Sequence, residues 1–336
     1  MKRIAKTTAI ILCVTILLTL FSCSYNPTPK NRVSYGCFDT VTTFYDYTGS
    51  SEKKFKELYT SVEEELSEYH KLYDIYNEYE GITNLATINK TAGSGPKKVD
   101  SKIIKMLLFS KEMYNLTGGK VNIAMGAVTK IWHDYREEGT SVPPMDILTE
   151  ANKHTDINNL IIDEQAGTVE LKDSKMSLDV GAIAKGYAVE MISSRLYEEG
   201  YSGYVLDVGG NIRTIGEKPS GDGWSCGVKN PTANNSQTYV YKTELKNAAM
   251  STSGSYERFY TVAGVNYHHI INSETLMPEN YYLSVSIRAD SSALTDALST
   301  AVFNMKPEDA KTFIEGLNGV LAVFVMPGGE VVTAGK

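Results

Sequence analysis

The stretch MSLDVGAIAKGYAVE, residues Met176 to Glu190, decides how this chain is read. An apolar, strand-like run ends at Asp179, the small residues Gly181, Ala182 and Ala184 follow, and a helix carrying Lys185 and Gly186 comes next. Small residues at a strand-to-helix junction let a ligand approach the backbone, and amides at the start of a helix favour anions. The stretch suits a diphosphate; the same glycines also suit a plain tight turn.

Downstream, a helix over Ile183–Gly200 leads into a strand, Tyr204 to Val208, and the turn Gly209-Gly210-Asn211. This order imitates a Rossmann unit, but no G-x-G-x-x-G follows the first strand and no acidic residue stands at the ribose spacing. That fold is excluded. Upstream, NLIIDEQAGTVELKDSK has the alternation of a hairpin turning at Gln165-Ala166-Gly167. Val41 to Tyr47 reads as the first strand. A helix is expected over Glu52–Tyr76, because Phe55, Leu58, Tyr59, Val62, Leu66, Tyr69 and Leu72 recur at three- and four-residue steps. Ser101 to Thr117 forms another, stopped by Gly118-Gly119, and Met145 to Lys153 a short one after Pro143-Pro144. No repeat of solenoid period is present.

With 336 residues, 42% hydrophobic and 22% charged, the chain is long enough for one large or two modest globular domains. Thirty-three basic residues against forty acidic ones, with no basic tract interleaved with aromatics, exclude a nucleic-acid footprint. Lys2, Arg3 and Lys6 precede the apolar run Ala9 to Phe21, the order of an export signal. The run ends Leu20-Phe21-Ser22-Cys23, which looks like a lipobox, so residues 1–22 read as a lipoprotein signal and Cys23 as the lipidated residue. An ordinary signal peptide with an incidental cysteine is the alternative. More than one acyl chain is what stable attachment requires. Losing residues 1–22 removes three positive charges and no negative ones, shifting the formal charge from −7 to −10. Residues 23–34 read as a tether with little order, and 35–336 as the folded domain. Of the later cysteines, Cys37 and Cys226, a disulfide is not established by sequence; two unpaired, buried thiols is the reading preferred.

Four further motifs keep company with the central stretch: LDVGGNIRTIG (Leu206 to Gly216), MSTSGSYERFY (Met250 to Tyr260), YHHIIN (Tyr267 to Asn272) and DSSALTDALSTAVF (Asp290 to Phe303). In this order they resemble the ApbE family, the FAD:protein FMN transferases, from about Phe38 to the C-terminus. The resemblance implies an α+β, ApbE/T-fold-like architecture of mixed, mostly antiparallel sheets with packed helices, the flavin site lying in a crevice between two subdomains. It implies FAD as substrate, a divalent metal of Mg²⁺ type, and phosphoryl transfer to a Thr or Ser hydroxyl with release of AMP. The partners implied are electron-transfer proteins bearing a flavinylation motif, outside a bacterial membrane to which the lipid holds the enzyme. A metal-dependent FAD pyrophosphatase and a flavin-binding carrier lipoprotein are the rival readings.

Residue by residue, the resemblance gives His269 as the base, since an imidazole titrating near neutrality can deprotonate a hydroxyl; His268 is its structural or solvent-facing neighbour. Asn272, Ser273 and Leu276 stand where the family pattern has Asp, Pro and Gly. Asp296 and Thr300, four apart on one helical face, give a carboxylate and a hydroxyl for a hard cation, with the backbone carbonyl of Ala182 as third ligand. Flavin or phosphate contacts fall on Phe38, Asn77, Tyr79, Val121, Asn122, Asp179, Lys185, Thr252, Ser253, Gly254 and Ile270. Tyr79 is the candidate aromatic plate, worth about 0.5–1.5 kcal/mol beyond burial if it stacks. The segment KVNIAMGAVTKIWHDYR is expected to line the pocket through a short strand, with Asn122 where many members have Asp.

Overall fold

The structure, a computed structural model, describes residues 27–232 and 238–336; Cys23, the signal segment and the first part of the tether lie outside the described residues. Strands β1 (Lys30–Tyr35) and β2 (Val41–Asp46) form a hairpin around a 3₁₀ turn at Cys37–Asp39. Five of the residues assigned to the tether, 30–34, are therefore strand. Their polar alternation KNRVS hid a true edge strand, in which charges are the usual protection.

Helix α1 (Glu52–Tyr73) starts at Ser51, whose hydroxyl accepts the Lys54 N–H, and buries the predicted stripe together with Tyr73. It stops three residues short of expectation because Asp74 is extended and collects donors from the turn that follows. Helix α2 (Leu85–Lys90) and the two-residue β3 (Lys97–Lys98) lead into α3 (Ser101–Leu116). Next come α4 (Gly126–Glu138) and α5 (Met145–Asn152). The expected strand near Val121 is absent: Val121–Met125 is a turn held by the Asn122 side chain, and α4 begins directly after it. The predicted hairpin is β4 (Leu160–Asp163) and β5 (Thr168–Leu171), with β3 on its other edge.

The run Met176–Asp179 is no regular strand. It makes one isolated parallel bridge, Met125 to Ser177, and turns into α6 (Ala184–Glu198). Strands β6 (Tyr204–Val208) and β7 (Asn211–Ile215) follow, joined by Gly209-Gly210 with φ of 59° and 87°. Two consecutive positive φ values give the turn whose twist matches a two-residue hairpin. A separate hairpin, β8 (Trp224–Lys229) with β9 (Tyr239–Leu245), precedes β10 (Ala249–Gly254). A second, β11 (Phe259–Val262) with β12 (Val265–His268), precedes β13 (Ser284–Ala289). Helices α7 (Ser292–Phe303) and α8 (Pro307–Glu315) and strands β14 (Leu321–Val325) and β15 (Val331–Gly335) complete the chain.

Eight strands form one sheet in the order β1-β2-β6-β7-β10-β13-β14-β15, every pair antiparallel. The architecture is α+β, as anticipated. Its join is narrow: β7 and β10 share only the pairs Ala249–Arg213 and Met250–Ile212. Helices α6 and α7 pack against each other and against β7 and β10, so the main core spans that join. A smaller cluster, with Val128, Trp132, Leu148, Tyr260 and Leu276, holds α4, α5 and the β11–β12 hairpin together as a satellite. Cys37 and Cys226 are unpaired thiols.

Gly186 explains how closely α6 and α7 cross. A Cβ there would lie 2.3 Å from Asp296 Cβ and 2.4 Å from the Ser292 carbonyl oxygen. This glycine, read from the sequence only as part of the helix after the junction, serves helix-to-helix approach. In an exposed helix a Gly-to-Ala change gains about 1 kcal/mol, but overpacking of this kind costs about 1–3 kcal/mol or more. Gly186→Ala is therefore expected to destabilise the protein by about 1 kcal/mol or more net, measured as a lower midpoint in urea. A neutral or raised midpoint would show that the helices are not in contact there.

Candidate active site

A cleft of about 850 Å³ lies between the sheet with its α6–α7 floor and the satellite. Three chain segments that are far apart in sequence build its floor. The first is the turn at Asp179–Ala182. Asp179 Oδ1 accepts the Gly181 N–H at 2.9 Å and Oδ2 the Thr129 hydroxyl at 2.7 Å, so this carboxylate ties the turn to α4. Lys185, the second residue of α6, donates to the Gly181 carbonyl at 3.2 Å.

The second segment is α7. Asp296 is buried, and its Oδ2 accepts the Gly186 N–H at 2.8 Å. Desolvation is the largest influence on this carboxyl and raises its pKa above the ordinary value, against the lowering pull of Lys185, the Gly186 amide and the Asn211 side chain. The third segment is the end of β10, where strand alternation sends Ser251 and Ser253 toward α7. Ser251 pairs with Thr295 at 2.7 Å, and Ser253 with Ser299 at 2.9 Å and Thr300 at 3.3 Å. Thr252, pointing the other way, pairs with Ser286 on β13 at 2.7 Å.

His269 borders the same cleft just beyond β12. Its backbone N–H and its Nδ1 both lie 3.2 Å from the Arg258 carbonyl oxygen. A carbonyl only accepts, so that contact assigns the proton to Nδ1 and leaves Nε2 with the lone pair. The ring is accessible to water in the cleft yet crowded by protein around it. Accessibility governs its proton exchange; crowding governs the direction of its pKa. Burial first, and then the charges of Arg258 and Lys185 and the neighbouring His268, push that pKa down to about 4, against the raising effect of the Arg258 carbonyl. His268 is structural: it is buried, with Nδ1 accepting the Ile270 N–H and Nε2 reaching the Glu279 carbonyl at 2.8 Å.

Of the residues singled out in the sequence, Phe38, Asn77, Val121, Asn122, Asp179, Ala182, Lys185, Thr252, Ser253, Gly254, His269, Ile270, Asp296 and Thr300 all line this cleft. Asn122 does so with its polar atoms already engaged, Nδ2 on the Thr155 carbonyl and Oδ1 on the Ala124 N–H. Tyr79 does not line it. Its hydroxyl donates to Asp74 Oδ2 at 2.8 Å, and the same carboxylate accepts from the Tyr76 and Asn77 amides and the Asn77 side chain. Burial raises the Asp74 pKa, but these donors together outweigh it and hold the group ionised. The aromatic residue this turn presents to the cleft is Tyr76, 65% exposed and 5.7 Å from the His133 ring. Sequence spacing could not choose between two tyrosines three apart; the sink for the turn's donors, Asp74, made the choice.

Asp296, Thr300 and the Ala182 carbonyl offer only oxygen, with one carboxylate. Among the described residues no group of three or more His, Cys, Asp or Glu side chains converges on a point. Such a set is too poor to cage a metal alone and fits a hard divalent cation whose remaining ligands are phosphate oxygens and water. Asn211, on the same wall, adds a buried Oδ1 without a hydrogen-bond partner among the described residues. The sequence did not single out Asn211, although the turn Gly209-Gly210 placed before it marked the spot.

Phe38 and Asp39 form the opposite lip with φ of 53° and 52°, a left-handed pair that non-glycine residues rarely adopt. The Phe38 amide donates to His70 Nδ1 at 3.2 Å, and Arg258 Nη2 reaches across to the Asp39 carbonyl at 3.4 Å.

Comparison with known proteins gives a consistent result. The ApbE family model matches residues 38–325. An FAD:protein FMN transferase of Treponema pallidum is 31% identical over 294 residues, 82% of this chain and 80% of its own. One of Klebsiella pneumoniae is 26% identical over 270 residues, 78% of this chain and 83% of its own. Among solved structures, an ApbE protein from Thermotoga maritima superposes with a TM-score of 0.80 at 26% identity, covering 91% of this chain and 97% of its own. The flavin transferase ApbE from Vibrio cholerae, at 22% identity and a TM-score of 0.76 over 91% of this chain and 98% of its own, shares the fold.

The position of the two tyrosines gives a direct test. Tyr76→Ala is expected to weaken flavin binding several-fold, since an aromatic contact is worth about 0.5–1.5 kcal/mol. Tyr79→Phe is expected to leave flavin affinity unchanged while costing about 1 kcal/mol of stability for the lost bond to Asp74. Fluorescence titration with FAD decides it; the reverse ranking would return the aromatic plate to Tyr79.

Proposed function

The chain belongs to the ApbE family, and from that premise we propose that it transfers the FMN part of FAD to a threonine or serine hydroxyl of an acceptor protein, releasing AMP. The observation that carries this reading is a shared wall: the His269 imidazole, the Lys185 ammonium and the oxygen donors Ala182, Asp296 and Thr300 border one open cleft. The names of the relatives, FAD:protein FMN transferases, support it.

In this reading His269 Nε2 takes the proton of the acceptor hydroxyl as its oxygen bonds to the phosphorus on the FMN side. The bond between that phosphorus and the bridging oxygen breaks, and the bridging oxygen leaves with AMP. Arg258, through its carbonyl, keeps the base in the tautomer that can accept. Lys185 offsets charge building on the diphosphate, and the hydroxyl of Ser253, on the α7 side of β10, donates to a phosphate oxygen. Asp296, Thr300 and the Ala182 carbonyl would hold a divalent ion of Mg²⁺ type, which would supply further neutralisation of the diphosphate. Transfers of this kind depend on positioning and electrostatics, so no covalent enzyme intermediate is invoked. An open cleft suits an acceptor that is itself a protein. The apolar run Ala9 to Phe21 and Cys23, read as a lipoprotein signal, support in the same reading a location on the outer face of a bacterial membrane beside electron-transfer proteins that carry a flavinylation motif.

The test is incubation of the purified protein with FAD, Mg²⁺ and a peptide bearing an Asp-Gly-x-Thr-Gly-Ala-Thr-like motif. Gain of the FMN mass by the peptide supports the transferase; AMP without that gain would make it a pyrophosphatase, and neither product a flavin carrier. His269→Ala is expected to keep FAD binding and lose transfer by a factor of about 10² or more, the usual worth of a general base. Protonation below the pKa removes the base, and that pKa is pushed down to about 4. The acid limb of kcat/KM should therefore fall well below pH 6, and a limb at or above the ordinary imidazole range would contradict the assignment.

A further inference from the structure

Glu190 lies one turn beyond Gly186 on α6, and Ser292 one turn before Asp296 on α7. The two helices meet through both pairs. Gly186 N–H donates to the Asp296 carboxylate at 2.8 Å, and Ser292 N–H donates to the Glu190 carboxylate at 2.5 Å. Each helix thus gives the other one backbone donor and one carboxylate, at positions four residues apart on both. All four residues are buried. The second bond also places a negative charge on the first turn of α7, where the helix dipole and an otherwise unbonded amide favour it. Glu190 is held in turn by the Ser194 hydroxyl at 2.8 Å on Oε1 and by the Arg213 guanidinium, with Nε 3.4 Å from Oε2. Arg213 lies on β7, next to the narrow join with β10.

Only Asp296 of these four faces the cleft. On the β10 side α7 is tied by the pairs of Ser251 with Thr295 and Ser253 with Ser299; on the α6 side Gly186 is one contact, and the bond to Glu190 one turn away gives that side a second, which sets the register of the two helices and with it the position of the Asp296 carboxylate. We infer that Glu190 is a positioning residue for the cation site, acting through the Ser292 amide on Asp296 without touching cation or substrate. The inference rests on the reading of Asp296 as a cation ligand.

The experiment reads binding and not turnover: free Mn²⁺ is followed by electron paramagnetic resonance as it is titrated into the purified protein with saturating FAD and no acceptor, alongside urea unfolding. Glu190→Ala is expected to weaken Mn²⁺ binding about tenfold, the size seen when residues supporting metal ligands are lost. Glu190→Gln, which keeps an acceptor oxygen but not the charge, should fall between it and the parent. Ser292→Pro removes the amide donor together with a hydroxyl that has no hydrogen-bond partner among the described residues; it is the first residue of α7, where proline is tolerated, and Ser291 before it is already extended at φ −121° and ψ 129°. It should weaken Mn²⁺ binding like Glu190→Ala and add little on top of it. Val189→Ala, a buried neighbour on α6 outside this contact, should lower stability and leave Mn²⁺ binding unchanged. Parent-like Mn²⁺ affinity in the Glu190 and Ser292 variants would overturn the inference. Equal weakening by Val189→Ala would do so too. Should Glu190→Ala fail to fold, Glu190→Gln and Ser292→Pro decide on the same criterion. If the parent protein itself binds no Mn²⁺ with FAD, it is the reading of Asp296 that falls.

Discussion

The close crossing of α6 and α7 is the constraint on which the rest depends. The large sheet is almost two sheets, with β7 and β10 joined by two residue pairs and by Thr214, whose hydroxyl accepts the Ala248 N–H and donates to its carbonyl. Such a seam would hinge if nothing bridged it. A glycine at 186 lets one helix sit against the other at backbone distance, and both are packed into a single core with Leu178, Ile183, Leu298 and Phe303. Dense packing makes this core resist continuous deformation, so the two halves of the sheet present a rigid floor to the cleft. Burying Asp296 and Glu190 there costs desolvation, which the crossed hydrogen bonds offset.

A rigid floor leaves adjustment to the lips. On one side Phe38 and Asp39 occupy left-handed backbone at about 1–2 kcal/mol each, held by His70 and by Arg258. On the other, the loop bearing Arg258 also supplies the carbonyl that orients His269. One residue therefore contacts the strained lip with its side chain and His269 with its backbone. Strain kept at a ligand-facing turn requires surroundings that over-determine it, and here those surroundings are cleft residues themselves.

Much of this was legible in the sequence because it is local. The stripe on α1, the hairpin at Gln165–Gly167 and the four-residue step from Asp296 to Thr300 depend on neighbours within a few residues. What stayed hidden is non-local. Glu190 looks like any charged residue on a helix until α7 arrives to bury it, and Asn211 acquires its place only when β7 meets the cleft. The run Met176–Asp179 has a strand's composition but faces the α4 turn instead of a sheet, since Gly126 lets that backbone come within hydrogen-bond distance of Ser177. Residues 30–34 are polar and tether-like in composition, and only pairing with β2 makes them a strand.

The departures from the family pattern after His269 show how a turn can be kept with different residues. Asn272 Oδ1 accepts the Glu274 and Thr275 amides, as the pattern's aspartate could, and its Nδ2 donates to the Asn304 carbonyl, which a carboxylate could not do. Leu276, where the pattern has glycine, sits at φ 62°. That conformation is costly for leucine, and the cost is offset where the side chain lands: it is buried in the satellite cluster, and its carbonyl accepts the Trp132 indole N–H at 2.9 Å. Glycine would relax the backbone and empty the space beside Trp132. The exchange couples the turn to the satellite's packing, and because the β11–β12 hairpin belongs to the same cluster through Tyr260, the strand that delivers His269 is set by hydrophobic contacts as well as by its ladder. His269 is thus positioned from behind by apolar packing and from the front by a single carbonyl, which is why three altered residues in its own motif leave it facing the cleft.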